Sequence, residues 1–178
     1  MKSLFNGQQM MSNIAQMARG NFDTVVFVLG RMAGKSTLAS NLIQCEILRL
    51  MSIDDQAPGR IMYLTQTMDM TRRFSIEMRK DIDWLDKECN QRFIHIEGER
   101  KISISFDSFD SIPLMSKASL IIIDELSDDL NSIDRTLDLC DTEDHLRIVF
   151  RTTSHKGDVR PGVLIIQAMN YDLNLTIK

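Results

Sequence analysis

Little in this sequence favours a paired metal-ligand motif, a membrane span or a stand-alone DNA binder. The cysteines number three, Cys45, Cys89 and Cys140, an odd count whose wide spacing matches no metal-ligand pair. They read as reduced thiols lying in helices. No apolar stretch reaches the roughly 18 residues that a spanning helix needs. Residues 1–16 are also too polar for the core of a signal peptide, so a soluble, intracellular protein with no membrane partner is expected. Basic residues are outnumbered, 21 Lys and Arg against 25 Asp and Glu, for a net charge of −4 and a pI of about 5.4. An independent duplex binder has the opposite balance, so any nucleic-acid contact must be local or shared between subunits. Internal repeats, low-complexity tracts and linkers are absent as well. The chain does have 178 residues at 43% hydrophobic content, which suits one compact α/β core and leaves no room for a second enzymatic domain. Its 12 methionines read as fillers of irregular core gaps rather than as a cofactor site.

Periodicity orders the elements. Met10, Ile14 and Met17 recur at helical spacing before Gly20, and Val25 to Leu29 is a short β-branched run. After Gly34, the residues Ala39, Ile43, Ile47 and Leu50 share one helical face. Pro58-Gly59 marks a turn, Arg60 to Thr65 a strand, and Phe74, Met78, Ile82 and Leu85 the stripe of a second long helix. Phe93 to Glu97 and Ile102 to Phe106 alternate around Gly98, as an antiparallel hairpin or a pair of peripheral strands would. Leu120 to Ile123 is wholly apolar, as a strand buried on both faces must be. Leu130, Ile133, Leu137 and Cys140 suggest a shorter helix, Arg147 to Phe150 a strand, and Val163 to Ile166 a last strand after Pro161-Gly162. This alternation predicts a largely parallel sheet covered on both faces, with residues 167–178 as a tail that is least certain to pack.

Gly30-Arg31-Met32-Ala33-Gly34-Lys35-Ser36-Thr37 lies between the first strand and its helix, the setting in which a phosphate-binding loop is worth assigning. Phosphate binding needs free backbone N–H groups, a helix N-terminus, a lysine for the β and γ phosphates and a hydroxyl for Mg²⁺. Gly34, Lys35 and Ser36 supply these. The usual spacing would put the first glycine at Leu29, whereas Gly30 comes one place late. The competing reading, a glycine turn followed by a helix-capping serine, is weighed down by the strand and helix on either side. Arg31 is a cation placed where the γ-phosphate would lie, able to stabilise transition-state charge or sense nucleotide; a solvated side chain is the other reading.

Leu120 to Ile123 delivers Asp124 and Glu125 at a strand's C-terminal end, the edge where parallel α/β sheets bind ligands. Asp124 would hold Mg²⁺ beside Ser36, and Glu125 would orient and deprotonate the attacking water. Arg147 to Phe150 runs into Arg151-Thr152-Thr153-Ser154, whose hydroxyls stand where a γ-phosphate sensor belongs.

These three motifs in order, Gly30 to Thr37, Leu120 to Glu125 and Thr152 to Ser154, resemble the deviant Walker A, Walker B and coupling motifs of viral terminase large subunits. The early arginine of the loop is typical of that family, and the order of elements from Gln8 to about Ile166 is similar. The resemblance implies a P-loop NTPase domain of the additional-strand (ASCE) type, with a mainly parallel central sheet flanked by helices. It implies ATP and Mg²⁺ as cofactors and ATP hydrolysis coupled to movement of double-stranded DNA into a procapsid. In that family a glutamine ahead of the first strand reads adenine, a role that falls to Gln8 or Gln9, with Gln9 preferred, within the helical region 1–22. Portal protein, a small terminase subunit and a homo-oligomeric ring are the implied partners, and the host cytoplasm the implied location. A ring calls for an arginine reaching the neighbouring site, for which Arg135, Arg147, Arg151 and Arg160 are candidates. For DNA, the local basic features are Arg72, Arg73, Arg79, Lys80 and the loop from His155, Lys156 and Gly157 to Arg160.

Two departures stand out. Nothing after Ile166 could form the nuclease that usually follows in the family, and Phe106 to Ser119 lacks the arginine-glycine pair often found before Walker B. Another ASCE ATPase, helicase-like or of partition type, and a nucleotide-gated regulatory module without turnover are the alternatives. Glu125 speaks against the module, which has no need of a water-activating carboxylate.

Overall fold

The chain runs α1 (Asn6–Ala18), β1 (Thr24–Leu29), α2 (Lys35–Ser52), β2 (Gly59–Thr65), α3 (Met68–Asp81), β3 (Lys87–Cys89), β4 (Phe93–Ile96), β5 (Ile102–Ser108), β6 (Leu120–Asp124), β7 (Leu146–Arg151), β8 (Val163–Met169) and β9 (Asp172–Ile177). Short 3-10 turns occupy Phe109–Ser111, Asp134–Leu139 and Lys156–Asp158. This computed structural model describes residues 6–54, 57–111, 117–125, 134–140, 145–153, 156–169 and 172–177.

The nine described strands join one sheet in the order β3-β4-β5-β2-β6-β7-β1-β8-β9. From β5 to β8 every pairing is parallel, and antiparallel strands close both ends. One strand, β7, separates β1 from β6, which is the additional-strand arrangement. Parallel register brings the ends of these three strands to one edge, with Val28 opposite Arg151 and Asp124 opposite Phe150.

The strand pleat sends alternate side chains to opposite faces. Val25, Phe27 and Leu29 join a core with Met11 and Ala15 of α1, Leu38, Ile43 and Ile47 of α2, and Phe74 and Met78 of α3. Val26 and Val28 face a second core with Ile121, Ile123 and Val149, closed by Phe109, Ala118, Leu139 and Cys140. Among the described residues the α-helices thus pack on one face, and the 3-10 turns lie over the other. Glu46, fully buried, is compensated by Arg19, Arg49 and the Ser119 hydroxyl, so that α1, α2 and the start of β6 meet at one satisfied charge.

Several expectations need correction. Met10 and Met17 are exposed, and the buried side of α1 is Gln8, Met11, Ser12, Ala15 and Ala18. Two of those are polar, and their partners lie on other elements, which no pattern within α1 reveals. The helix through Phe74 and Met78 ends at Asp81, leaving Ile82 as its C-cap; Leu85 packs beyond it against the first core. β4 and β5 do pair antiparallel, as the hairpin alternative expected, but β5 is not peripheral, because it also pairs with β2 along its whole length. Cys89 lies on the edge strand β3 rather than in a helix, and Cys140 makes a bridge to Ala118 after a 3-10 turn. Leu130 and Ile133 lie outside the described residues. The last strand is β9, not β8, and part of the tail pairs as an antiparallel edge.

Candidate functional site

The phosphate-binding candidate occupies the turn from β1 into α2. Ala33 N–H donates to Gly30 O at 3.3 Å, and both Met32 and Gly34 take left-handed backbone, with φ of 60° and 77°. Glycine adopts that region freely; methionine does so only under strain. Gly34 also forms the N-cap of α2, and no side chain caps this helix, in contrast to α3, where Thr67 accepts from Met70 N–H. The helix-capping-serine reading therefore fails. The first turn of α2 instead leaves backbone donors and the positive end of the helix dipole for an anion.

Beside this turn lies a cavity of about 890 Å³ lined by Arg31, Met32, Gly34, Lys35, Ser36, Thr37, Glu125, Arg151, Thr152 and Thr153. Residues from three parts of the sequence meet here because β1, β6 and β7 end at the same sheet edge. Lys35 is buried but for 9% of its side chain, and its Nζ lies 2.8 Å from Oε1 of Glu125, which is 41% exposed. Glu125 takes the left-handed conformation at φ 57°, its N–H held by Phe150 O at 3.2 Å. That strained turn carries its carboxylate off the strand and into the cavity.

Asp124, one residue earlier, is buried and, unlike Ser36 and Glu125, is not among the residues that line the cavity. Its Oδ2 accepts from the Tyr63 hydroxyl at 2.7 Å, while Oδ1 is buried without a partner. Burial raises the Asp124 carboxyl above the ordinary range. Tyr63 and Lys35 pull it back, Glu125 pushes it further, and burial dominates. An unpartnered carboxylate oxygen held at this cost fits a hard cation. Among the described residues no three His, Cys, Asp or Glu side chains gather as a metal cage. Ser36, on the cavity wall, and Asp124 are the side chains that could hold such a cation, whose charge would stabilise the buried carboxylate.

The structure brings Arg31, Thr152 and Thr153 to the cavity wall; Ser154 and His155 lie outside the described residues. It separates the two glutamines. Gln9 is exposed and donates to Asn13 Oδ1 at 3.2 Å, whereas Gln8 is buried and reaches Ala33 O and Gly34 O. Arg147 and Arg151 are both held inside the fold. Arg147 is fully buried, its guanidinium donating to Thr24 Oγ1 at 2.8 Å and Thr136 Oγ1 at 2.9 Å. Arg151 is equally enclosed, with Nε 2.9 Å and Nη2 3.0 Å from the Asp158 carboxylate. Arg160 pairs with Asp134, and the Arg135 side chain lies outside the described ones. Arg72 donates to Gln91 and Arg79 to Ser75 and Asn90 O, while Lys80 pairs with Glu77. Tyr63 escaped the sequence reading. Its only signal was a phenol between the apolar Met62 and Leu64, and it is set beside Asp124 by the β2–β6 register and by stacking on Phe74.

No protein-family model matches the chain, and no curated protein gives a significant sequence match. Solved structures share its fold. The large terminase ATPase domain of Thermus phage P74-26, as an arginine-to-alanine mutant, superposes with a TM-score of 0.67 at 14% identity, over 96% of this chain and 83% of that one. The large terminase of a thermophilic bacteriophage, in complex with ATP-γ-S, gives 0.67 at 9% identity over 93% of this chain and 44% of its own. This chain therefore spans less than half the length of that full terminase. A nuclease-deletion mutant of the Type ISP restriction-modification enzyme LlaGI, bound to a DNA substrate mimic, gives 0.59 at 11% identity over 95% of this chain and 20% of its own. What this chain shares with them is the mainly parallel α/β fold.

Proposed function

We propose that this chain hydrolyses ATP as the motor domain of a viral DNA-packaging terminase. The observation that carries the reading is the cavity in which the Gly30–Thr37 loop, Glu125 and Thr152-Thr153 converge. Its support is a fold similar to large-terminase ATPase domains, and to a large terminase seen with ATP-γ-S.

In this reading the N–H groups of the loop and Lys35 hold the β and γ phosphates, while Ser36 and Asp124 hold magnesium. Glu125 accepts a proton from the attacking water as the γ-phosphoryl group passes to it, giving ADP and phosphate. Arg31 neutralises charge that develops on the γ-phosphate, and Thr152, Thr153 and Ser154 couple its loss to movement. Double-stranded DNA is the moved substrate. Portal protein and a small terminase subunit are partners, a homo-oligomeric ring is the working form, and the host cytoplasm is the place of action.

Steady-state ATP hydrolysis with and without double-stranded DNA, for the native chain and Glu125→Gln, tests this. DNA-stimulated turnover that the substitution abolishes supports the motor. Strand separation would favour a helicase-like ATPase instead, and tight Mg²⁺-ATP binding without turnover under any condition would favour the regulatory module.

A further inference from the structure

We propose that Gln8 is a positioning residue that orients the phosphate-binding loop from behind, and that it does not read the base. The proposal rests on the nucleotide reading of the cavity. Gln8 stands in the first turn of α1 and is 6% exposed. Its Nε2 lies 3.4 Å from Ala33 O and 3.3 Å from Gly34 O. An amide nitrogen carries two hydrogens, and two carbonyls are in reach of them. Nε2 thus faces the loop backbone rather than the cavity. Gln8 is also not among the residues that line the cavity.

The effect on the loop follows from peptide geometry. In a planar trans peptide the C=O of one residue points opposite to the N–H of the next. A donor that holds Ala33 O and Gly34 O on the α1 side therefore turns the N–H groups of Gly34 and Lys35 the other way. Those are donors that a phosphate in the cavity would use. Gly34 O is fixed along the helix as well, since it accepts from Leu38 N–H at 2.9 Å. The approach is close: a Cβ on Gly34 would stand 2.1 Å from Gln8 Nε2. α1 is itself held to α2 by the Ser12 hydroxyl, which donates to Asn41 Oδ1 at 3.1 Å within a buried contact.

The test compares ATP, GTP and inorganic tripolyphosphate, each with Mg²⁺, binding to the native chain and to Gln8→Met and Gln8→Ala. Gln8→Met keeps side-chain length and helix propensity but removes the donor. The expected result is a loss of affinity of about three- to tenfold, equal for all three probes, with Tm of Gln8→Met near native. Ser12→Ala serves as the control for a merely structural role and should lower Tm while leaving tripolyphosphate affinity within about twofold. A loss confined to ATP, with tripolyphosphate unaffected, overturns the proposal and returns Gln8 to base reading. Unchanged affinity for all three overturns it in favour of plain packing. A native chain that binds neither ATP nor tripolyphosphate removes the nucleotide reading itself, and the proposal with it.

Discussion

The ammonium of Lys35 and the carboxylate of Glu125 form an ion pair at 2.8 Å on the cavity wall, so the groups proposed to hold phosphate and to activate water are in direct contact. Phosphate and Glu125 then compete for one cation. Neutralising the carboxylate should free Lys35, so Glu125→Gln is expected to bind a non-hydrolysable ATP analogue about two- to fivefold more tightly, a modest factor because Glu125 is partly solvated. Turnover should fall by at least about a hundredfold with loss of the base. Calorimetric titration beside a phosphate-release assay checks both. Weaker binding in the variant would mean that the pair organises the loop instead of competing with nucleotide.

Asp124 should oppose folding at neutral pH in the absence of a cation. Its carboxyl is raised in the folded state, chiefly by burial, above the value of about 3.9 of an unfolded chain. The native state therefore holds this proton more tightly. The contribution of Asp124 is fully present below that value and is lost as pH rises through the raised one. Asp124→Asn keeps an acceptor for Tyr63 and removes the buried charge. We expect its Tm without Mg²⁺ to exceed native by several degrees at pH 7, at about 2–4 °C per kcal/mol for a domain of this size, and the gain to shrink towards pH 4. Magnesium-dependent nucleotide binding should be lost. A variant less stable than native at pH 7 would sink the argument.

The site was legible in the sequence where its chemistry is local. A strand, a glycine turn and a helix are neighbours in the chain, and Asp124-Glu125 directly ends an apolar run. What stayed hidden depends on register and on partners far away. Arg147 reads as a candidate to reach a neighbouring site until Thr24, Thr136 and Asp134 are found around it. Met10 and Met17 read as core because their apolarity is visible, while the partners that bury Gln8 and Ser12 are not. The alternation Leu173, Leu175, Ile177 marks β9, yet the polar residues between make the tail look unstructured. The interior place of β5 follows from its parallel pairing with β2, which its own alternating sequence does not reveal.

The two loop glycines should differ. Gly34 has φ 77°, where any side chain is strained, and a Cβ there would push aside the Gln8 amide, whose Nε2 it would meet at 2.1 Å; around Gly30 a Cβ would meet nothing within 4 Å, and its φ is not positive. Gly34→Ala is expected to cost about 1–3 kcal/mol, whereas Gly30→Ala should melt within about a degree of native. Thermal denaturation of both decides the matter. Equal Tm values would mean that the left-handed turn at Gly34 is not a constraint on the fold.

Arg151 lines the cavity, yet its charge already faces the buried carboxylate of Asp158. An arginine acting on a neighbouring site must be free to extend, and its loss should leave its own subunit folded. For a buried pair the opposite holds, because removing one partner leaves the other charge in a low-dielectric setting at a cost of about 3–5 kcal/mol. Asp158→Asn should therefore lower Tm by roughly 6–20 °C, and Arg151→Met should do nearly as much. In the double variant Arg151→Met with Asp158→Leu neither charge remains, so much of the lost stability should return. Near-native melting of Arg151→Met, together with loss of activity when it is mixed into native assemblies, would instead make Arg151 a residue that works across subunits.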